Sequence, residues 1–436
     1  MDRAGCYKCI TDMLEELMLA GESRVQAPSV PTQPGPPTLS VSNNSLTDNL
    51  APEEAQLYAE DCLQLALNST DELFHTTLYE WMLRRNLTTQ LLKVTSPFIE
   101  PFLKRVAATQ DEAYSASDTL GSDLLWQYFE RTGQHLEAAK ILTNLAERPG
   151  SDRCLAKRIE YLSRAKMNSK CSTSMKSDHS SGQLLQELEE KLEVAQIQLE
   201  TMEQLREMSE HDSCSKLDFQ LMDVTTLYSE FAEPFQLAEC KLAIVHCAGL
   251  HDPNLVEALW QNIIECELSK SGSSDQNPSV VLQNKVVQLS KRYMASQRYF
   301  PIEFLVQLLE KVSSSRSWEL TWASNSFLHA GYPLTQLLII YQKLHSQKLG
   351  YWSTMGNSYH LLYVVNEMLN SFLDDPMKHL SNHQQRHPFL NRALDTLAAN
   401  LVELSSVPSP SDHIRQLIAR MRKTQASLEN MQHRTR

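Results

Sequence analysis

Residues 240–251 read CKLAIVHCAGLH, with two cysteines and two histidines, and this stretch is either a metal site or the apolar face of a helix. If Pro234 opens a helix and Gly249 closes it, Leu237, Cys240, Ile244 and Cys247 fall on one stripe. Cys240 and Cys247 are then about 10.5 Å apart along the axis at roughly 1.5 Å per residue, whereas two thiolates on one zinc each sit about 2.3 Å from it. His246 points off the stripe and His251 follows the glycine turn. The stretch reads as a core helix in which cysteine acts as a small hydrophobe.

The same helical spacing extends outward along the chain. In Thr70–Arg85, Leu73, Phe74, Leu78, Trp81 and Met82 share a face, with Asp71 and Glu72 in the first turn. In Ser122–Gly133, Leu124, Leu125, Tyr128 and Phe129 face inward and the glycine ends the helix, after which Leu136, Ala139, Ile141, Leu142 and Leu145 build another. Around Gly331 the pattern returns, with Trp322 and Phe327 before it and Leu334, Leu337, Leu338, Tyr341 and Leu344 after it. Antiparallel helix pairs joined at glycine turns are the unit of an α-solenoid. No fixed period holds, so the fold class is all-α, an irregular α-solenoid of stacked antiparallel helix pairs.

Composition agrees. Gly is scarce at 12 of 436 residues, and runs of alternating β-branched residues hardly occur. Nine cysteines, an odd and scattered set, read as reduced thiols of a cytosolic or nuclear setting. The N-terminus lacks a long apolar run, and no stretch approaches the roughly 18 apolar residues a membrane span needs. A net charge of −13 disfavours nucleic-acid binding by the whole chain, although Ser411–Arg436 holds six Arg/Lys against two acids.

Proline and polar clusters mark the boundaries. Residues 1–20 form a helix that ends a preceding solenoid segment, and 21–52 a Pro/Ser-rich linker. Solenoid follows over 53–167, a flexible linker over 168–182, a second solenoid over 183–405 and a basic C-terminal helix over 406–436. Pro253, Pro278, Pro301, Pro333 and Pro376 stand where helices start. The long helix at about 183–208 carries a short coiled-coil seam that packs on the same solenoid or meets a helix in trans.

Other chemistry finds little support. Cys6 and Cys9 form a lone C-x-x-C, Glu72-x-x-His75 is half of a di-iron motif, and His379, His383 and His387 run into Pro388, which disfavours a helix there. No phosphate loop, H-E-x-x-H or nucleophile elbow occurs. The expectation is a protein without catalytic, cofactor or metal residues.

The runs DELFHTTLYEWML, LLKVTSPFIEPFLKR, DLLWQYFERTG, ELEEKLEVAQIQLE, LMDVTTLYSEFAEPFQLAECKLAIVHCAG and RYFPIEFLVQLLE resemble the C-terminal helical region of the nucleoporin 155 family, inner-ring scaffolds of the nuclear pore complex. The resemblance runs from about Cys6 to Leu404, with Leu221–Gly249 its most specific segment. It implies the last portion of a longer architecture, a fragment or a shortened paralogue, in which the amino-terminal propeller and its membrane contact are not carried over. It further implies location at the nuclear envelope and partners among other nucleoporins, namely neighbouring ring scaffolds and a nucleoporin 98-type linker segment. Architecture alone also fits a solenoid of a vesicle coat or tethering complex.

In the C-terminal half some helices carry more apolar residues than one stripe needs, which makes them either doubly buried or part of a groove for another chain. The partner-binding candidates are Phe304 and Leu308; Leu337, Ile340 and Tyr341; Leu394, Leu397 and Leu401; with Arg415, Arg420 and Arg422 on the basic helix beside them. If a linker peptide lies in such a groove, with that helix packed beside it or on an acidic neighbour, truncation at Pro408 leaves the melting temperature nearly unchanged while altering binding.

Overall fold

The computed structural model describes residues 3–22, 50–112, 120–175, 179–270, 277–348, 350–354, 356–379, 383–409 and 411–435. Among them the chain is helical with no strand, an all-α fold of stacked antiparallel helix pairs. It divides into two compact units, Met1–Met222 and Asp223–Arg436.

In unit 1 the helices are α1 (Arg3–Glu22), α2 (Pro52–Leu67), α3 (Glu72–Arg84), α4 (Thr88–Leu91), α5 (Ile99–Glu112), α6 (Leu120–Arg131), α7 (His135–Glu147), α8 (Leu155–Met175), α9 (His179–Glu207) and α10 (His211–Phe219). Asp71 caps α3, its carboxylate accepting from the Leu73 N–H at 3.1 Å. Most of the expected apolar faces supply the core: Phe74, Leu78 and Trp81 on α3, Leu124, Leu125 and Phe129 on α6, and Leu142 and Leu145 on α7 are buried, whereas Leu73 in the first turn of α3 is 61 % exposed. Gly133 closes α6 with φ +77°, a left-handed conformation that costs a β-carbon-bearing residue about 1–2 kcal/mol.

Polar groups complete this unit. Arg158 on α8 is fully buried and donates to the carbonyls of Ala146 at 2.9 Å, Gly150 at 2.8 Å, Phe219 at 2.6 Å and Arg148. One guanidinium thus satisfies the end of α7, the turn after it and the end of α10. Buried Gln198 on α9 donates to the Leu217 and Gln220 carbonyls and accepts from the Met222 N–H. The expected linker 168–182 is helical up to Met175, with only 176–178 outside the described residues. Its polar composition misleads because Asn168, 2 % exposed, pairs with His135 at 2.8 Å and lies 3.4 Å from the Glu130 carboxylate. The central part of the expected linker 21–52, residues 23–49, lies outside the described residues. The α9 seam packs on α8 and α10, through Leu188, Ala195, Ile197, Met202 and Leu205, all buried.

Unit 2 comprises α11 (Val224–Thr226), a π-helical turn Leu227–Ala232, α12 (Ala238–Cys247), α13 (Pro253–Lys270), α14 (Pro278–Tyr293), α15 (Ile302–Ser315), α16 (Trp322–His329), α17 (Leu334–Ser346), α18 (Gly350–Thr354), α19 (His360–Asp374), α20 (Pro376–His379), α21 (His383–Ser405) and α22 (Asp412–Thr435). Pro253, Pro278 and Pro376 are first helical residues, while Pro301 and Pro333 stand at N-caps. Pro234 does not start a helix: it lies in the turn after the π-helical segment, and α12 begins at Ala238. Cys240 and Ile244 are buried there, at 2 % and 4 % exposure. Gly331 ends α16 with φ +93°. Around Trp260, whose indole donates to the Tyr299 carbonyl at 2.9 Å, Tyr293 and Phe300 meet its ring edge-on.

Two further expectations fail in unit 2. Pro388 sits inside α21; Phe389 and Leu390 are fully buried, with the Phe389 ring 4.6 Å from that of Phe372, so packing outweighs the hydrogen bond proline cannot make. The basic C-terminal helix is part of the unit 2 core, so removing it at Pro408 is not neutral to stability. Leu417, Met421 and Leu428 of α22 are fully buried against the unit 2 core, and Thr424 donates to Asn366 at 3.0 Å and lies 2.8 Å from Asn370 Oδ1.

Candidate functional site

The residues proposed from sequence for partner binding separate into three groups. Leu337, Ile340, Tyr341 and Leu397 are core residues at 0–7 % exposure and offer no surface. Phe304, Leu308, Leu394 and Leu401 are half-buried and pack on that core. Arg415, Arg420 and Arg422 are exposed on α22, where Arg415 faces Asp412 at 3.5 Å. A long apolar run exceeds one stripe here because α15, α17 and α21 are covered on two sides.

Of these residues, Arg420 lines a cleft. A cavity of about 670 Å³ opens where the start of α22 faces the turn before α19. Leu320 and Ile414 supply apolar surface, Tyr359 and Tyr363 aromatic walls, and His413, Gln416 and Arg420 polar rims. The Tyr363 hydroxyl donates to the His413 carbonyl at 2.9 Å, which fixes the first turn of α22 to α19. Burial raises the Tyr363 pKa, with the Arg420 charge acting the other way. Arg420 reaches Glu367 only at 3.9 Å, with 61 % of its side chain exposed.

A buried polar cluster anchors the α19 wall. Glu310 on α15 is fully buried; it accepts from the Tyr341 hydroxyl and lies 2.9 Å from His360 Nε2 at the start of α19. The Trp352 ring stacks on His360 at 4.3 Å. Burial, with the Glu310 carboxylate, drives the Tyr341 phenol pKa well up. These contacts tie α15, α17 and α18 to the base of α19, so Tyr359 and Tyr363 are held on a packed scaffold. Such a cleft can seat a peptide side chain between aromatic faces and present a guanidinium to an acceptor beside it.

Sequence reasoning missed Leu320, Tyr359 and Tyr363. The signal was the aromatic density of Tyr351, Trp352, Tyr359 and Tyr363 around Gly356, which does not show as helical periodicity. Elsewhere His75 is buried, its Nε2 2.7 Å from the Ser69 carbonyl, and His246 packs edge-on to Tyr293 and Tyr299. Among the described residues no group of three or more His, Cys, Asp or Glu side chains is arranged to hold a metal ion. The side chains of His379 and His383 lie outside that description.

Residues 2–408 match the family model of the non-repetitive/WGA-negative nucleoporin C-terminal region. The chain belongs to this nucleoporin family. It is 30 % identical over 380 residues to the nuclear pore complex protein Nup154 of Drosophila melanogaster, covering 86 % of this chain and 27 % of that protein. It is 28 % identical over 250 residues to nucleoporin NUP170 of Saccharomyces cerevisiae, covering 55 % and 16 %. The chain therefore spans about a quarter or less of these nucleoporins. The fold resembles that of the Chaetomium thermophilum Nup170 CTD in its crystallised complex with Nup145N, with a TM-score of 0.65 at 21 % identity over 86 % of this chain and 75 % of the other. That likeness establishes the solenoid fold of this nucleoporin segment.

Proposed function

We propose that the chain is a structural segment of the nuclear pore complex scaffold at the nuclear envelope, without catalytic activity, and that unit 2 docks a short segment of a nucleoporin 98-type linker. The family match over residues 2–408 carries the reading. Support for docking comes from the Nup170 CTD, which crystallises as a complex with Nup145N, and from the aromatic cleft with its exposed Arg420. An apolar anchor of the linker packs between Tyr359 and Tyr363, and an acidic or carbonyl oxygen accepts from Arg420, so recognition uses burial and a charge-assisted bond rather than chemistry. Contacts with neighbouring ring scaffolds use other faces of the solenoid.

Two measurements test this. A tagged chain concentrates at the nuclear rim; accumulation on vesicles would favour the coat or tethering reading instead. Titration calorimetry of the full chain with the linker segment gives a complex that Tyr363→Ala combined with Arg420→Glu weakens about tenfold or more, roughly 1.4 kcal/mol. Unaltered affinity in a variant with an unchanged melting curve places the linker elsewhere.

A further inference from the structure

Unit 1 contains a groove separate from the cleft in unit 2. It is lined by α5, the first turns of α6, and α7 with the turn that follows it, and its volume is about 720 Å³, within the range of clefts that seat ligands. Its floor is apolar: Ala107, Leu125 and Leu145 are 7 %, 6 % and 4 % exposed, and Ile141 is half-buried beside them. The small side chains of Ala107 and of exposed Ala108 leave that floor open.

One buried polar side chain of the groove has no partner. Ser122 is 8 % exposed, lines the groove and makes no side-chain hydrogen bond among the described residues. Its hydroxyl is not sealed within the core, so a group lying in the groove can reach it. Ser122 stands in the first turn of α6, where the helix end carries partial positive charge, and the favoured partner is therefore an acceptor oxygen, best a carboxylate. The adjacent Asp123 does not supply one, because its carboxylate accepts from Trp126 and Tyr161 at 3.0 Å each. Lys104 and Arg148 bring two cations to the groove; Lys104 shares its charge with Glu100 at 2.8 Å. The carboxylate lining it, Asp152, is held by Arg153 at 2.8 Å.

We infer that this groove docks an extended segment of a partner protein in which an aspartate or glutamate adjoins an aliphatic residue. The aliphatic side chain covers Ala107, Leu125 and Leu145, and the carboxylate accepts from Ser122 Oγ in the field of Lys104 and Arg148. The exposed Asn144 amide on α7 offers a donor and an acceptor to the main chain of the segment.

A random peptide library displayed on phage tests this when panned on the full chain carrying Tyr363→Ala/Arg420→Glu, which disables the unit 2 cleft. The expected selection enriches sequences with Asp or Glu within two positions of Leu, Ile or Val. A fluorescein-labelled peptide of the enriched sequence, followed by anisotropy, loses about tenfold in affinity when Ala108→Trp fills the groove and severalfold with Ser122→Ala, and it binds more weakly as salt rises. Ser122→Ala leaves the melting curve of the free chain unchanged, because the hydroxyl has no partner to lose there, so its effect on binding reports contact with the peptide. With Tyr363 and Arg420 intact, linker binding at the unit 2 cleft is unaffected by either substitution, which separates failure here from failure of the docking reading above. The inference is overturned if no acidic–aliphatic sequence is enriched, or if the enriched peptide binds the Ala108→Trp or Ser122→Ala variant as well as the parent. It is also overturned if sedimentation shows self-association that Ala108→Trp abolishes, because a second copy then fills the groove.

Discussion

Replacing Arg158 by methionine keeps the aliphatic stem and removes the charged donors. Four carbonyls then lose the guanidinium as a donor: Ala146 and Arg148 at the end of α7, Gly150 in the turn, and Phe219 at the end of α10, which keeps the Gly150 N–H at 2.9 Å. Hydrogen bonds from a charged donor contribute about 1.5–3 kcal/mol each, so the gross loss is on the order of 6–12 kcal/mol. Part is returned, because burial of the cation is itself unfavourable: desolvation, with the nearby Arg153 charge, lowers the Arg158 pKa. A net cost of about 3–5 kcal/mol remains, comparable to breaking a buried charge pair. In a unit of this size, 1–222, that is a fall of roughly 10 °C in the melting transition of unit 1. Arg158→Lys does not rescue it, since an ammonium cannot span four diverging carbonyls as a planar fork does. The assay is thermal melting combined with hydrogen–deuterium exchange, which assigns the loss to a segment. Peptides covering 146–158 and 217–222 should exchange faster in the variant, while α13 to α17 in unit 2 keep their protection. A variant melting within 2 °C of the parent, with unchanged protection in both segments, would refute the clamp.

Three other outcomes follow from the packing. Leu417→Asp places a charge in the buried seam between α22 and the unit 2 core and should cost more than about 3 kcal/mol; a melting curve like the parent's would return α22 to the status of a loose tail. Ile244→Asp, at a site 4 % exposed on α12, should destabilise unit 2 to a similar degree, read by urea titration of circular dichroism. Stability should fall in acid. The carboxyls of Asp71 beside the Tyr7 hydroxyl, Glu100 beside Lys104, Asp223 under the Thr226 N–H and Glu233 beside Lys241 all have lowered pKa values in the folded chain. A depressed folded pKa contributes stability that is present above the ordinary carboxyl range near pH 4 and lost as pH falls through the lowered value. Melting temperature should be flat from pH 6 to pH 5 and drop below about pH 4, and a flat profile to pH 3 would contradict these pairings.

The sequence by itself determined most of the helices and the family, though not the helix through residues 168–175, the start of α12 or the passage of α21 through Pro388. Apolar spacing at three and four residues specifies a helix wherever a face is to be buried, and Gly133 and Gly331 end helices because few other residues tolerate a left-handed backbone. Local runs that form α3, α5, α6, α9, α12 and α15 also carried the nucleoporin resemblance, since such runs are written locally. Only tertiary structure decided which faces are covered. Periodicity puts Leu337, Ile340, Tyr341 and Leu397 on faces but cannot say that neighbours cover them from two sides. It cannot show that Leu417, Met421 and Leu428 of a basic helix find a seam more than forty residues back in the chain on α19. Nor can composition distinguish a linker from a helix whose asparagine is held by a histidine 33 residues earlier on the neighbouring helix, as Asn168 is by His135. Arg158, Gln198 and Glu310 look like surface residues in sequence, because a charged or amide side chain is buried only where distant carbonyls, hydroxyls or imidazoles converge on it. That convergence is a property of packing, and it fixes the walls of the Tyr359–Tyr363 cleft as well.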